Sequence, residues 1–280
     1  MKTEQPHLKV VTSSELGVVK LVRHYYLKLI MGKLVSRVGE KVVTNQGYEI
    51  EIIAYRKAID IDVLFDNGYI KKNVTYADFK RKGIEYPYHP RVYGVGFLGE
   101  GLYECRVDGK ITKCYDVWHS FLKRSYWKGY HASDKSYKNV TVCQEWHNFQ
   151  NFAEWFYKNY NPKYMEGWHL DKDILVKGNK VYSPETCCFV PREVNNFFTK
   201  KTAKGNNLPT GVHVNQYSFK AEVSVGGGEK RIKSFPTIEQ ASTFYKTEKQ
   251  EYAKRLVSKW EDVLDIKIKN KLLNYTADND

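Results

Sequence analysis

The chain has 280 residues, and its 45 Lys and Arg against 32 Asp and Glu give a formal net charge of +13 at pH 7. This length allows two or three small domains. No apolar run approaches the roughly 18 residues that span a bilayer, and the N-terminus lacks a signal-peptide core. These features exclude a membrane partner and predict a cytoplasmic protein.

The composition points to nucleic acid. The chain combines its positive charge with 22 Tyr and 6 Trp, and basic, aromatic surfaces suit phosphates and bases. A basic protein without such a partner has the same composition. The five cysteines have no CxxC spacing, so neither a disulfide framework nor a zinc finger is indicated. A scattered zinc site that uses Cys143 and Cys187 with a histidine stays an alternative.

The N-terminal part changes character along its length. Residues 1–33 form a predicted helical segment, because capping residues and helically spaced apolar residues occur at 13–31. Residues 34–109 contain period-two apolar runs separated by Asp, Asn and Gly, which predicts a small antiparallel β module. Lys71 and Lys72 in this module are candidate DNA contacts. Such lysines also protect the edge strands of sheets without binding anything.

A glycine-rich connector at 94–101 contains the pattern GxGxxG. No helix with a ribose-binding acid follows it, so neither a nucleotide nor another organic cofactor is predicted. From Tyr115 to Phe156 aromatic residues recur at spacings of three and four, which predicts helices with an aromatic core. The loop between these helices is basic and aromatic, and its Lys128 is a candidate DNA contact.

One segment in the middle of the chain carries a His, two Asp and a Lys within five residues. Alternation along a strand puts His169, Asp171 and Asp173 on one face. Leu170 and Lys172 then lie on the other face. The first face has the oxygen and nitrogen ligands that suit a hard divalent metal.

The residues that follow complete a ββα unit. A glycine turn occurs at 177–179, a turn and short strand at 182–191, and a helix begins near Glu193. The order of Leu-Asp-Lys-Asp, Ser-Pro-Glu-Thr-Cys and a closing Asn resembles the HNH (ββα-metal) nucleases of phage homing endonucleases.

The resemblance implies one divalent metal, Mg²⁺ or Mn²⁺, held by Asp171 and Asn195, while a histidine deprotonates the attacking water. Lys172 stands where the family has that histidine, so the candidate catalytic residues are Lys172, His169 and Asp173. Either the lysine is desolvated enough to accept a proton, or a neighbour such as His169 takes its role, or the site has lost its chemistry. A surface hairpin with merely solvated charges is the remaining alternative.

The C-terminal part begins with a basic polar linker at 200–207, and three short strands and a capped helix follow. Gly211-Val212, Phe219-Lys220-Ala221, Ser234-Phe235 and Glu239-Gln240-Ala241 resemble the ethylene-response-factor type of DNA-binding domain. In that family the sheet enters the major groove. The positions expected to point outward are His213, Asn215, Lys220, Glu222, Arg231 and Lys233, and all but Glu222 are candidate DNA contacts. A final helix is predicted at about 246–275.

Together these patterns predict an α+β fold with four parts. The parts are a helical segment at 1–33, a β module at 34–109, an HNH-like core at 110–200 and a sheet domain at 201–280. The predicted function is binding of double-stranded DNA and metal-dependent nicking of the homing-endonuclease type, in the cytoplasm of a phage host. Two alternatives stay open: a DNA-binding or virion-associated phage protein without nuclease activity, and a phage protein that binds a host factor.

Overall fold

The computed structural model describes residues 36–199 and 208–276. The predicted helix at 13–31 and the predicted linker at 200–207 lie outside these ranges. The described chain combines helices with several small sheets, which confirms the α+β prediction.

The contacts divide the chain into two compact units, Met1–Tyr86 and Pro87–Asp280. The sequence instead placed boundaries after residues 33, 109 and 200. The glycine-rich connector therefore belongs to the second unit and not to the β module. Each unit is described by itself below.

The first unit contains an antiparallel four-stranded meander followed by a short helix. Its elements are β1 (Lys41–Val43), β2 (Glu49–Lys57), β3 (Asp60–Phe65), β4 (Ile70–Val74) and α1 (Tyr76–Lys80). β2 and β3 alternate buried apolar residues with more exposed ones, so one face forms a core that includes Phe65 and Phe79. Thr75 caps α1, because its hydroxyl accepts a hydrogen bond from the Asp78 backbone nitrogen at 3.0 Å.

The second unit begins with an aromatic helical layer. Its elements are β5 (Arg106–Val107), β6 (Lys110–Ile111), α2 (Lys113–Tyr126), α3 (Lys128–Ser133), β7 (Thr141–Val142) and α4 (Phe149–Asn159). Phe121 of α2 and Phe152 of α4 are fully buried, with ring centroids 5.0 Å apart. The Trp118 indole nitrogen donates to the Trp146 carbonyl at 2.8 Å inside this core. These aromatic side chains are core residues, as their spacing predicted.

A strand–loop–strand–helix unit follows, as predicted. Its elements are β8 (His169–Asp171), β9 (Val181–Tyr182), β10 (Cys188–Val190) and α5 (Arg192–Phe198). β8 pairs with β10 in antiparallel register, with His169 opposite Val190, and β9 pairs in parallel with β7. β8 ends earlier than predicted, because Asp171 Oδ1 accepts hydrogen bonds from the backbone nitrogens of Asp173 and Ile174, each at 2.8 Å, and this local turn competes with strand geometry.

A three-stranded antiparallel sheet and two helices complete the second unit. The elements are β11 (Val212–Asn215), β12 (Ser218–Ser224), β13 (Lys230–Phe235), α6 (Ile238–Lys259) and α7 (Ile266–Leu273). The sequence predicted separate helices on either side of residue 246, but α6 is continuous there. The helical chain breaks instead before α7, which Asp265 caps by accepting a hydrogen bond from the Lys267 nitrogen at 2.7 Å.

Helix α6 packs directly on the ββα unit. Leu256 of α6 and Phe197 of α5 belong to one hydrophobic cluster. The Lys249 ammonium donates to the Phe197 carbonyl in the last turn of α5 at 2.8 Å, and Lys259 pairs with Glu193 in the first turn of α5 at 2.7 Å. Helix α5 is thus held at both ends by α6.

Candidate functional site

Strand β8 presents two polar side chains on one face. His169 is exposed and Asp171 is half-buried, while Leu170 between them is buried in the core. The alternation that predicts this arrangement therefore holds for these three residues. Asp173 does not continue the strand face, because β8 ends at Asp171. Its carboxyl nevertheless stays beside that of Asp171, whose pKa it raises.

Helix α5 brings Asn195 to His169. Asn195 Nδ2 and His169 Nδ1 are 3.3 Å apart, although 26 positions separate the two residues in the chain. The sequence predicted Asn195 as a metal ligand together with Asp171. The fold therefore joins Asn195 to the face of β8 that carries Asp171.

The pKa of His169 is lowered from its ordinary value. Partial loss of hydration of the ring beside its neighbours contributes most, followed by the positive charges of Arg192, Arg124 and Lys113. A histidine with a lowered pKa is neutral at pH 7 and can accept a proton. Asn195 Nδ2 is an N–H donor that faces Nδ1, so Nδ1 carries the lone pair of the neutral imidazole in this arrangement.

The Asp171 carboxyl has a pKa raised to about 6. Burial is the larger cause, and the negative charge of Asp173 is the second. A nearby divalent cation would offset both effects, because it stabilises the ionised carboxylates. Two backbone N–H groups bind Oδ1, so Oδ2 is the oxygen that remains to ligate a metal.

Asp171 Oδ2 and the Asn195 amide oxygen are the hard donors that suit Mg²⁺ or Mn²⁺. Among the described residues, no group of three or more His, Cys, Asp or Glu side chains is placed to hold a metal. An ion bound by one carboxylate and one amide would keep several water ligands, as Mg²⁺ commonly does. The residues present therefore fit such an ion.

Lys172 is buried, at 9% exposure, immediately after β8. Its Nζ lies 3.1 Å from Asp173 Oδ2 and is 5.8 Å and 5.9 Å from the ring centroids of Tyr137 and Tyr182. The ammonium is thus engaged by a carboxylate and two aromatic rings inside the fold. Of the alternatives for the proton acceptor, this placement favours His169 over Lys172.

Two arginines that the sequence did not single out act on His169. Arg192 begins α5 and Arg124 lies in the last turn of α2, and the charges of both lower the pKa of His169. The Arg124 guanidinium lies 5.7 Å from the Tyr137 ring centroid and 5.6 Å from that of Tyr182. No sequence signal identifies Arg124, because its position depends on how α2 packs on the ββα unit.

The C-terminal sheet has an open face and a face covered by α6. Ala221 is fully buried, so its neighbour Lys220 points to the open face. His213 lies opposite Lys220, and Asn215 lies opposite Ser218, on the same face. The predicted outward direction therefore agrees with the register for His213, Asn215 and Lys220.

Arg231 and Lys233 lie on the other face of the sheet. They pair with the buried residues Val223 and Ala221, respectively. Lys233 Nζ is 5.9 Å from the ring centroid of Phe244, which belongs to α6. The prediction that Arg231 and Lys233 point outward with Lys220 is therefore wrong. The hydrophobic pattern of β13 is too weak to fix its phase, and only the pairing with β12 does so.

Lys230 is the lysine of β13 that shares the open face with Lys220, opposite Ser224. Both ammonium groups face Glu222, with Lys230 Nζ at 2.6 Å and Lys220 Nζ at 3.6 Å from its carboxylate. These lysines lower the pKa of Glu222. The positive charge of the open face is thus partly neutralised within the sheet.

The other predicted DNA contacts differ in their surroundings. Lys71 Nζ donates to the Glu85 carbonyl at 2.9 Å, so its ammonium ties β4 to the chain beyond α1. Lys72 and Lys128 are exposed. These two lysines offer their charge to solvent, whereas Lys71 already has a structural partner.

Comparison of the chain with protein-family models, with curated proteins and with solved structures gave no match. Within the two described ranges, none of the helices has the length and apolar character needed to cross a bilayer. The structure itself defines an α+β protein with a ββα unit, in which a strand His and Asp share a face with a helix Asn.

Proposed function

We propose that this protein binds double-stranded DNA and nicks it in a metal-dependent reaction at the ββα unit. The contact between His169 on β8 and Asn195 on α5 carries the proposal, because it occurs in the strand–strand–helix order of the HNH resemblance. Asp171 and Asn195 are the proposed ligands of Mg²⁺ or Mn²⁺. A phage nuclease of this kind acts in the cytoplasm of the host cell.

When bound, the metal would stabilise the negative charge that develops on the phosphate and the leaving oxygen. His169 takes the proton of the attacking water, since its lowered pKa keeps the imidazole neutral at pH 7. Arg192 and Arg124 add positive charge beside His169 and attract the phosphate. Lys172 pairs with Asp173 and takes no part in this proton transfer.

A DNA-binding protein that does not cleave is the second candidate. Two observations favour it: Asp171 Oδ1 is used by backbone N–H groups, and Lys172 is buried at the position of the family's base. In this reading the ββα unit is a scaffold and the basic surfaces alone contact DNA.

Nicking of supercoiled plasmid by the full chain distinguishes the two candidates. Relaxed circles should form with Mg²⁺ or Mn²⁺ and should not form with EDTA. Asp171→Ala and Asn195→Ala should each abolish the metal-dependent product. Asp262→Ala, which removes an exposed carboxylate between α6 and α7, is the matched control and should nick normally. Plasmid binding without nicking by the unmodified chain would favour the second candidate.

A further inference from the structure

A basic and aromatic surface lies next to the ββα unit, on the end of α2, on α3 and on the short 3-10 turn (Lys135–Tyr137) that follows α3. Between Trp118 and Val142 the only carboxylate is Asp134, and its Oδ1 accepts two hydrogen bonds from Ser136. We call this surface the α2–α3 patch, and its residues are Lys123, Trp127, Lys128, Tyr130, Lys135, Tyr137 and Lys138. Ion pairs in the described chain involve none of its four lysines.

Trp127 is the most exposed of the six tryptophans, which all lie in the described residues. Its side chain is 47% exposed, whereas Trp118 and Trp146 are fully buried. Two neighbours hold the indole ring in place. Lys123 Nζ lies 4.9 Å from the ring centroid, and Gly129 is so close that an added Cβ there would lie only 2.7 Å from the ring. The absence of a side chain at Gly129 therefore lets the ring lie against α3. An ordered, solvent-facing indole beside a cation is a platform on which a base can stack.

The α2–α3 patch is continuous with the candidate site. The rings of Tyr130 and Tyr137 are 5.3 Å apart. Tyr137 in turn contacts the Arg124 guanidinium and lies 5.8 Å from Lys172 Nζ. A DNA strand that runs from the candidate site toward Trp127 would therefore meet the positive charge of Arg124 first and the exposed indole next.

We propose that the α2–α3 patch binds single-stranded DNA beside the cleavage site, so the preferred substrate has an unpaired strand there, as at a fork or a flap. This proposal rests on the proposed function only in that the bound strand is the one to be cleaved. Stacking on Trp127 requires a base whose face is open, which an intact duplex does not offer. A merely solvated helix turn explains the lysines but not the ordered, exposed tryptophan among them.

The test measures binding of the full chain to a labelled thymidine 20-mer and to a duplex of the same length, by fluorescence anisotropy in EDTA. Trp127→Leu should bind the single strand about 5- to 150-fold more weakly, the range that one stacked base represents, and should bind the duplex as the unmodified chain does. Tyr217→Leu removes an aromatic side chain that is 92% exposed on the β11–β12 hairpin. This control should leave the preference between the two DNAs unchanged.

A second pair of variants tests the charges. Lys128→Gln with Lys135→Gln should reduce the slope of log affinity against log salt for the single strand by about 1.4, at about 0.7 per phosphate contact. Lys267→Gln with Lys271→Gln makes the same change of charge on α7 and should leave that slope unchanged.

Equal losses for single strand and duplex in Trp127→Leu, or no loss at all, would overturn the inference. Tighter binding of a uridine 20-mer than of the thymidine 20-mer would overturn the assignment to DNA. EDTA removes the divalent metal and so prevents cleavage during the measurement. A protein that never nicks can therefore still show the expected preference for single-stranded DNA. The failure of the proposed function is therefore distinguishable from the failure of this inference.

Discussion

The His169→Ala variant should nick plasmid DNA about 10²- to 10⁴-fold more slowly than the unmodified chain, the usual contribution of a general base. The physical reason is the position of the imidazole: it lies on the exposed face of β8, beside Asn195, and its lowered pKa keeps it able to accept a proton at pH 7. Initial rates of relaxed-circle formation at saturating Mg²⁺ measure the loss.

Lys172→Met is the matched variant, because Lys172 stands where the HNH family has its general-base histidine. Methionine keeps most of the buried volume and removes the ammonium, whose partners are Asp173 and two aromatic rings. This variant should therefore nick at close to the unmodified rate. If Lys172→Met were the slow variant and His169→Ala the fast one, the lysine would be the base after all, as its place in the HNH motif suggests.

Deleting residues 208–280 should unfold the ββα unit, whereas deleting residues 1–86 should not. The first deletion removes Leu256, Leu264 and other side chains that share one hydrophobic cluster with Phe197. Truncating one buried leucine costs about 2–5 kcal/mol, and a domain has a total stability of about 5–15 kcal/mol. The loss of several such side chains therefore exceeds what the unit can tolerate.

Thermal unfolding followed by near-ultraviolet circular dichroism measures this difference. The protein without residues 1–86 should keep a cooperative transition, because the contacts divide the chain between Tyr86 and Pro87. The sequence predicted instead a linker at 200–207 and a separate sheet domain at 201–280. A cooperative transition in the fragment 87–199 would support that boundary and contradict the shared core.

Local patterns predicted the elements of the site. Alternation gave the face of β8 with His169 and Asp171, and the aromatic spacing gave the core around Phe121 and Phe152. The closing Asn of the motif led to Asn195, which the fold places 3.3 Å from His169. Each of these features depends on neighbours in the chain or on one short motif.

Features that depend on pairing and packing were not predictable from the sequence. The phase of β13 follows from its register with β12, so Arg231 and Lys233 were assigned to the wrong face. The end of β8 follows from side-chain hydrogen bonds of Asp171 with the next turn. Arg124 reaches the surroundings of His169 only because α2 packs on a unit that comes more than 40 residues later in the chain.

The most direct test of the central claim is the broadening of histidine proton resonances by Mn²⁺, with the His169 signal assigned from its variant. A metal on Asp171 and Asn195 should broaden the His169 signal at the lowest Mn²⁺ concentrations, and Asp171→Ala should prevent this. The effect should weaken as the pH falls below about 6, because Asp171, whose pKa is raised to about 6, then binds a proton in place of the metal. An unchanged His169 signal at Mn²⁺ concentrations that support nicking would contradict a metal site beside His169.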